Sequence, residues 1–550
     1  MTVDYLSSLN SNGSGLNISQ IVDSLVEAEV QPKRSLISNS QSGTEVKISE
    51  LAELKSNASR FQKNLSTLSF SESFRVENGS HTAFDLETTG KMHDLAPFTS
   101  NIEIERLAQK QTLLFVGFDN SDEQLGEISL SLSFGKVQSD FVNATDDSVF
   151  EINETLQSQQ ISLPSGSLED LAQSLSLLDG VTSEVVQIND GEFGLAIYSN
   201  MGEHNAISLT SNIDRINAST VEEFETAQKV SASDSLVKVN GIEFQRDTNA
   251  IDDIFVDKTL SLKSTTDQEV TVSGDFDADA AKIAMTQFVS TLNEFKTYLS
   301  AVTQRSTDGS SPGVFATDAS IKGMYAQLNN LMRQPLEGFL PNDVYLAQMG
   351  VMTNRDGTLS LDEDKFENFF DNNRSSFFTL SEDRFIASSD LIDVFVSDPS
   401  TQVSGSFDFS FDSETGQAML DGRILSKFTD GANTIFRSTE EGFEGLQLTV
   451  STNDIPVSAT IHTGISASQK LSNLISEFLS SDGEIAQKEK VFDDYIDKYE
   501  IDLLSLDTKE AAIRARYIEQ FTAMEQVVTK LKSTGDYITT IMDAWNDEQN

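Results

Sequence analysis

The chain has 550 residues and no cysteine, which excludes disulfide bonds, thiolate metal ligands and thiol catalysis. It has only eight prolines and thirty glycines and no long low-complexity tract, so we expect it to fold. No run approaches about 18 consecutive apolar residues. The first residues, MTVDYLSSLNSNGSG, lack a basic region followed by an apolar one. We therefore expect neither a membrane-spanning segment nor a cleavable signal peptide.

Basic residues are scarce as well. There are 38 lysines and arginines against 87 aspartates and glutamates, a net charge of −49. Such a surface repels phosphate backbones and anionic bilayers, so we expect no nucleic-acid partner and no membrane insertion. The length, with 38% hydrophobic residues, permits three or four domains of about 150 residues each.

Catalytic and metal-binding motifs are missing. The histidines stand at 81, 93, 204 and 462, none of them in an HExxH motif or one helical turn from another, so no zinc ligand set is visible. No nucleophile elbow, phosphate loop or dinucleotide fingerprint occurs between a predicted strand and helix. We expect no catalytic residue, no cofactor, no metal and no enzymatic activity.

One loop leaves two interpretations open. In MTNRDGTLSLDE (352–363), Asn354, Asp356, Gly357 and Glu363 fall at positions that a calcium-binding EF-hand loop would use. Met352 occupies the first position, which requires aspartate, and LSLD is typical of a strand that leaves an Asp-Gly turn. A hairpin is the favoured interpretation, and a calcium loop is the alternative.

Both ends of the chain carry helical periodicity. Apolar residues follow steps of three and four through 516–545 and recur every seven residues through 485–513, so one long rod or two antiparallel halves would fit. Near the N-terminus a helix begins after a cap at Asn17 or Ser19 and is interrupted at Pro32, and a second helical run spans 51–68.

The middle of the chain has a period of two. NIEIERL, EISLSLSFG, SLVKVNGIEF, KTLSLKS, QEVTVSG, GSFDFSF and LQLTVS alternate apolar with polar residues and predict strands. Helical patterns at 279–300 and 316–336 separate these strands from a second strand-rich region at 390–463. The fold class is therefore predicted to be α+β and multidomain.

Two amphipathic ends can supply each other's missing partner. We expect a coiled-coil stalk or leg with discontinuous β-rich domains inserted in it, although each helix could instead pack on its nearest domain. The predicted domains are a terminal leg (1–46 with 512–550), a helical stalk (47–95, 275–389 and 476–511), a β-rich head (96–274, with inner boundaries near 113 and 235) and a further β insertion (390–475).

Two sets of residues follow from this plan. The predicted surface for a partner or a second copy of the chain comprises Phe521, Met524, Val528, Leu531, Ile538, Met542, Trp545, Ile18, Ile21 and Leu25. The predicted intrachain coiled-coil core comprises Leu51, Leu54, Phe61, Leu65, Ile485, Phe492, Tyr499 and Leu506.

Several stretches resemble one family, the flagellar filament-capping proteins, also called second hook-associated proteins. They include GLNISQIVDSLVEAEVQPKRSLI, NIEIERLAQKQTL, VNGIEFQRDTNAIDDIFVDKTLSLKS, MGVMTNRDGTLSLDEDKF and RYIEQFTAMEQVVTKLKSTGDYI, which occur in the family's order across 15–545. In this family the DGTLSLD block looks like a structural turn and strand. The resemblance thins at 71–95 and at 390–475.

The resemblance implies a structural cap at the distal end of the flagellar filament. It implies a ring-shaped homo-oligomer, commonly a pentamer, that templates the insertion of flagellin. Further implied partners are the hook-filament junction proteins and a cytoplasmic export chaperone on the C-terminal helix. The implied location is extracellular, at the flagellum tip, after export by the flagellar type III apparatus without a cleaved signal. The alternative is a filament-tip adhesin that binds surface or host glycans through the β-rich head.

Overall fold

The structure is a computed structural model that describes residues 14–138, 141–145, 148–306 and 311–547. It confirms the α+β class, with a long helix at each end and strands between them. The α-helices, numbered in chain order, are α1 (Ile18–Thr67), α2 (Leu168–Leu175), α3 (Val221–Ala227), α4 (Ala278–Thr303), α5 (Ala319–Leu331), α6 (Glu363–Asn372), α7 (Arg374–Phe377), α8 (Ala467–Leu479) and α9 (Glu484–Asp547).

Helix α1 is continuous, so the predicted interruption at Pro32 is wrong. Proline removes one backbone donor and crowds the preceding turn, and these effects usually end a helix. Pro32 lies on the exposed side of α1, as does Ala28, whose carbonyl loses its partner and can bond to water instead. The opposite side of the same turns carries Val26 and Val30, which are buried. Packing of that face outweighs the local cost of the proline.

Helix α9 is a single rod of 64 residues, about 96 Å long. Of the two interpretations that fit the sequence, one rod is confirmed and two antiparallel halves are wrong. Gly535 lies inside the rod and has no atom close to the position of a Cβ. The glycine therefore makes no close approach and no turn there.

Contacts divide the chain into two compact units. The first contains the residues up to Leu68 together with Met285–Phe366 and the residues from Asp383 onward. The second contains Ser69–Ala284 and Glu367–Glu382. Three stretches expected in the stalk lie in the second unit, namely residues 69–95, 275–284 and 367–382. For residues 69–95 the reason is that their strands pair with strands of the expected head.

The described residues of the second unit form four antiparallel sheets, with strands numbered in chain order. In the order of pairing, one sheet comprises β1 (Phe74–Glu77), β16 (Val270–Phe276), β3 (Phe98–Arg106), β12 (Ser235–Val239) and β13 (Ile242–Arg246), and a smaller one comprises β14 (Ala250–Ile251), β15 (Lys258–Leu262) and β2 (Phe84–Thr88). A third comprises β10 (Ala206–Ser211), β5 (Gln124–Val137) and β6 (Phe150–Ile152), with β7 (Gln159–Ser167) also paired to β5. The fourth comprises β11 (Gln228–Val230), β4 (Lys110–Phe118), β9 (Glu192–Met201) and β8 (Val181–Asn189).

Two separate cores lie beneath these sheets. One includes Phe115, Leu130 and Leu195, and the other includes Ile102, Val237 and Leu260. Strand β3 belongs to the core that contains Ile102. The chain then forms the core that contains Phe115 and returns to the core of Ile102 at β12. A two-part head was expected from the sequence with inner boundaries near 113 and 235, whereas the change of core on the way out falls between Arg106 and Lys110.

The first unit contains the hairpin and the second strand-rich region. The hairpin pairs β17 (Val351–Thr353) with β18 (Leu359–Leu361), which confirms the turn-and-strand interpretation of this stretch. The other sheet has eight strands in the order β19 (Arg384–Ala387), β26 (Ser458–Gly464), β21 (Gly405–Asp412), β22 (Gln417–Leu420), β23 (Arg423–Asp430), β24 (Asn433–Arg437), β25 (Leu446–Ser451) and β20 (Ile392–Val396).

This eight-stranded sheet must curve strongly. Its two edge strands, β19 and β20, are consecutive along the chain and are separated only by residues 388–391. Such a link spans at most about 18 Å, whereas the edges of eight flat strands would lie about 34 Å apart. The curved sheet encloses a core of its own that includes Phe409, Phe436 and Leu448.

Candidate partner-binding helices

The two terminal helices, α1 and α9, run antiparallel. The Arg34 guanidinium donates to Asp507 (2.6 Å) and to Glu510 (2.8 Å), and the Lys55 ammonium lies 3.2 Å from Glu489. Residue numbers therefore rise along α1 as they fall along α9. The coiled-coil geometry expected for this pair stays a prediction.

Further ion pairs extend this register toward the N-terminus of α1. Arg516 lies 3.2 Å from Glu29, which also accepts a 3.1 Å hydrogen bond from the Tyr517 hydroxyl. Arg514 pairs with Asp23. Exposed ion pairs contribute little stability individually, so we assign them the role of setting the register of the two helices.

An apolar cluster holds the pair together. Four buried residues, Ile18, Val22, Val26 and Val30, follow each other at steps of four along α1 and pack with Leu506 of α9. Steps of four rotate by only about 40° each on a helix, so these side chains form one narrow stripe. Partly buried residues line the cluster, namely Ile37, Ile513, Tyr517, Ile518 and Phe521.

The start of α1 is tied to α9 by polar contacts. The Asn17 side chain caps α1 by accepting from the Gln20 amide at 3.2 Å, which selects Asn17 over Ser19. The Ser14 amide donates to the Glu525 carboxylate at 2.8 Å, and the Ser14 hydroxyl donates to its other oxygen. These hydrogen bonds hold the pKa of Glu525 below its usual value.

Residues 526–547 of α9, called the bare segment below, extend past the start of α1. The exposed apolar side chains of this segment include Leu531 (66% exposed) and Trp545 (75% exposed). Val527, Tyr537, Ile538, Ile541 and Met542 are exposed too. Nothing in the described part of the chain covers this stripe.

The residues of the predicted partner surface thus lie in two places, on or just before the bare segment or along the paired part of α1 and α9. Leu531, Ile538, Met542 and Trp545 are exposed on the bare segment, as is Met524 just before it. Val528, Phe521 and Ile21 are half-buried, and Leu25 is exposed on α1. Ile18 differs, because it is fully buried in the apolar cluster and therefore belongs to the intrachain packing of α1 and α9.

The residues predicted for the intrachain core lie elsewhere along the same two helices. Leu51, Leu54, Phe61 and Leu65 of α1 and Ile485, Phe492 and Leu506 of α9 are buried, and Tyr499 is half-buried. Several of them do not pack in a two-helix seam. The Phe61 ring stacks on Phe295 of α4, with centroids 4.7 Å apart and planes 12° from parallel.

This half of α1 lies among several helices. The Gln62 amide donates to Ser476 of α8 at 2.6 Å, and the Tyr298 hydroxyl of α4 donates to Glu50 at 3.1 Å. Burial and the neighbouring carboxylate raise the pKa of Tyr298. The buried residues of this half of α1 thus pack among several helices and do not form a two-helix seam.

Sequence reasoning missed two features of the helix pair. The first is Val26 and Val30 as core residues, although the four-residue step from Ile18 through Val22 was a usable signal. The second is Glu525, a carboxylate with no exposed surface. No sequence signal marks it, because its partner Ser14 is 511 residues away.

The histidines do not form a common site. His93 contacts Glu382 (Nδ1 to Oε2, 3.0 Å), and His462 contacts the Ser406 hydroxyl (2.8 Å). Across the residues that the structure describes, no group of three or more metal-ligating side chains comes together. No described helix has an apolar stretch long enough to cross a bilayer.

The fold defines a class: a multidomain α+β protein in which two long helices form an antiparallel pair and β-rich regions lie between them along the chain. Comparison with known families then identifies the family. The pattern for "Flagellar hook-associated protein 2 C-terminus" matches residues 232–533, and that for the N-terminus of the same protein matches residues 14–111. The chain belongs to the flagellar hook-associated protein 2 family.

Curated relatives agree with this assignment. The A-type flagellar hook-associated protein 2 of Pseudomonas aeruginosa is 25% identical over 384 residues, which cover 65% of this chain and 77% of the relative. The flagellar hook-associated protein 2 of Salmonella typhimurium is 23% identical over 544 residues, which cover 97% of this chain and 98% of the relative.

A solved structure shares the fold. The D1-D2-D3 domains of the Escherichia coli flagellar cap protein FliD superimpose with a TM-score of 0.51 at 17% identity. The superposition covers 80% of this chain and 99% of that one.

Proposed function

We propose that this protein is a structural cap at the distal end of a bacterial flagellar filament, where it templates the insertion of exported flagellin. Membership of the flagellar hook-associated protein 2 family supports this function. The observation that carries it in the structure is the bare segment, which presents apolar side chains on a helix that nothing described covers. A structural role of this kind breaks no covalent bond and needs no catalytic residue.

The bare segment has the chemistry of a helix-binding surface. An exposed apolar stripe is tolerated when another chain covers it, and an amphipathic helix commonly binds through residues on one face. Met542 and Trp545 suit this role, because methionine adapts to different partners and tryptophan buries a large area. In the proposed function the arriving flagellin subunit supplies the covering surface.

The finer parts of the proposal rest on the family. The chain would work as a homo-oligomeric ring, with five copies as the proposed number, next to hook-filament junction proteins. It would leave the cell through the flagellar export apparatus and act outside the cell at the filament tip. Before export, a cytoplasmic chaperone would cover the bare segment, because an uncovered apolar helix invites aggregation.

The test replaces Leu531 and Met542 with glutamine in one double variant. Glutamine is polar and a good helix former, so α9 remains helical while its apolar stripe is interrupted. The matched control replaces Thr534 and Thr540, also exposed on this segment, with glutamine. Each variant replaces the native protein in its own bacterium, and filament length and unpolymerised flagellin in the medium are measured.

We expect short or absent filaments and free flagellin from the double variant, and normal filaments from the control. Secreted levels of both variants are compared, so that an export defect is distinguished from a capping defect. Normal filaments from the double variant, at normal secreted levels, would refute the role of the bare segment. Equal loss in both variants would show that the effect is not specific to the apolar stripe.

A further inference from the structure

A small cavity that is open to the surface of the first unit is lined by a lysine that has no partner among the described residues. The cavity has a volume of about 210 Å³ and lies between α4, α5 and the turn of the β17–β18 hairpin. Lys296 of α4 lines it and is only 3% exposed. A buried ammonium group is unfavourable unless it is paired.

No carboxylate of the described chain neutralises this lysine. Burial lowers the pKa of Lys296, and the positive charge of Arg333 lowers it further. Asp356 also lines the cavity, but its carboxylate accepts hydrogen bonds from the Thr358 amide (3.0 Å) and hydroxyl (2.7 Å). These hydrogen bonds orient the Asp356 carboxylate toward the hairpin turn, but the donors are uncharged and the carboxylate keeps its negative charge.

The other lining residues supply hydrogen-bond donors. Lys296, Ser300 and Gln304 recur at steps of four and so share one side of α4 and its end. The Tyr325 hydroxyl joins them from α5, opposite Gly357 of the hairpin turn, where an added Cβ would come within 3.2 Å of that oxygen. Within the described residues, these four side chains make no hydrogen bond with one another or with other groups.

From this arrangement we propose that the cavity binds a small oxyanion, such as free phosphate or a small carboxylate, with its charge on the Lys296 ammonium. Hydroxyl and amide donors around one lysine ammonium are the groups that oxyanions accept from. The cavity has room for about seven waters at roughly 30 Å³ each. It is smaller than the pockets of about 300 Å³ or more that hold drug-sized ligands, so the ligand is a small ion.

The same loop that resembled a calcium site in the sequence thus lies beside a buried positive charge. Lys296 repels a cation and attracts an oxyanion, whereas the Asp356 carboxylate does the opposite, so the proposed anion binds on the lysine side of the cavity. A bound anion would also join α4, α5 and the hairpin, which are separated along the chain. Oxyanion binding should therefore protect these three elements from local opening.

The experiment uses the full chain in sodium phosphate, in sodium acetate, and in sodium chloride at the same ionic strength. Amide exchange is followed in the peptides of α4, α5 and the hairpin, and phosphate binding is measured directly by ³¹P line broadening. At a phosphate concentration about ten times Kd, opening of these peptides should slow by about tenfold. Acetate reports whether a planar carboxylate is accepted as well as tetrahedral phosphate.

Lys296→Met is the decisive variant, and Lys322→Met on α5, whose side chain is outside the cavity, is its matched control. Lys296→Met should weaken phosphate binding by about tenfold or more. In chloride its exchange should be no faster than that of the native chain, because an unpaired charge has been removed. Lys322→Met should bind phosphate normally.

A second variant tests the proposal if Lys296→Met does not fold. Ser300→Ala removes one donor and leaves the lysine in place, so it should weaken phosphate binding by a smaller factor. Equal exchange in all three salts, with no ³¹P broadening, would overturn the proposal. So would phosphate protection that persists unchanged in Lys296→Met.

Discussion

The apolar cluster between α1 and α9 offers a quantitative test of the helix pair. Val26 is buried in the cluster, whereas Leu36 on the same helix is 69% exposed. Val26→Ala removes two methyl groups, which costs about 1.6 kcal/mol at about 0.8 kcal/mol for each buried carbon. Alanine's higher helix propensity returns up to about 0.7 kcal/mol. The net loss should be about 1 kcal/mol, and a residual cavity would increase it.

Amide exchange is the appropriate assay, because a multidomain chain does not unfold in one step. A loss of about 1 to 1.4 kcal/mol raises the rate of local opening by about five- to tenfold. We expect this acceleration in peptides around residues 22–34 and 506–521. Leu36→Ala removes a larger side chain from an exposed position, so it should stay within about 0.5 kcal/mol of the native chain.

The comparison of the two variants decides the result. Faster exchange in Val26→Ala alone supports packing of α1 against α9 through this stripe. Equal exchange in Val26→Ala and Leu36→Ala would show that Val26 is not in a packed core. The reasoning about the helix pair would then be refuted.

Two further predictions concern contacts of α1 and of the residues just before it. The pKa of Glu525 is lowered by its contact with Ser14, so this contact contributes its full stability above the usual glutamate pKa of about 4.5. That stability is lost as pH falls through the lower pKa of the folded state. Protection of the Ser14 amide, measured as its exchange rate relative to that of an unstructured peptide at the same pH, should therefore fall in acid, and Glu525→Gln should remove most of that change; protection that stays constant with pH in the native chain would contradict this. Phe61→Ala breaks the ring stack with Phe295 in a buried site and should destabilise the packing of α1 on α4 by about 3 to 5 kcal/mol, measured by amide exchange in peptides of these two helices; a loss below about 1 kcal/mol would contradict the assigned packing.

Where a local pattern was named, it predicted the type of the element correctly. Alternation in GSFDFSF and LQLTVS led to β21 and β25, and the apolar repeats led to α1, α4 and α9. These predictions hold because periods of two and 3.6 residues are the signatures of one-sided burial in strands and helices. Pro32 is the exception, since local chemistry predicted a break that burial of the opposite helix face overrode.

The candidate site was predictable only in part. The exposed stripe from Leu531 to Trp545 could be read as apolar from the sequence, but its lack of a covering neighbour could not. Ile18 and Leu25 have the same apolar character, yet one is buried and the other exposed. Which of them faces α9 depends on the register of two helices whose paired charged residues are more than 430 positions apart.

The sequence by itself determined the α+β class, the helical ends, the strand-rich middle and the family resemblance, because each is encoded in short stretches of residues. Tertiary structure alone decided the antiparallel register of α1 and α9, the contact of Glu525 with Ser14, and the low exposure of Lys296. These features depend on which distant surfaces meet. Pairing of distant segments is set by the sum of many weak contacts and leaves no local signature in the chain.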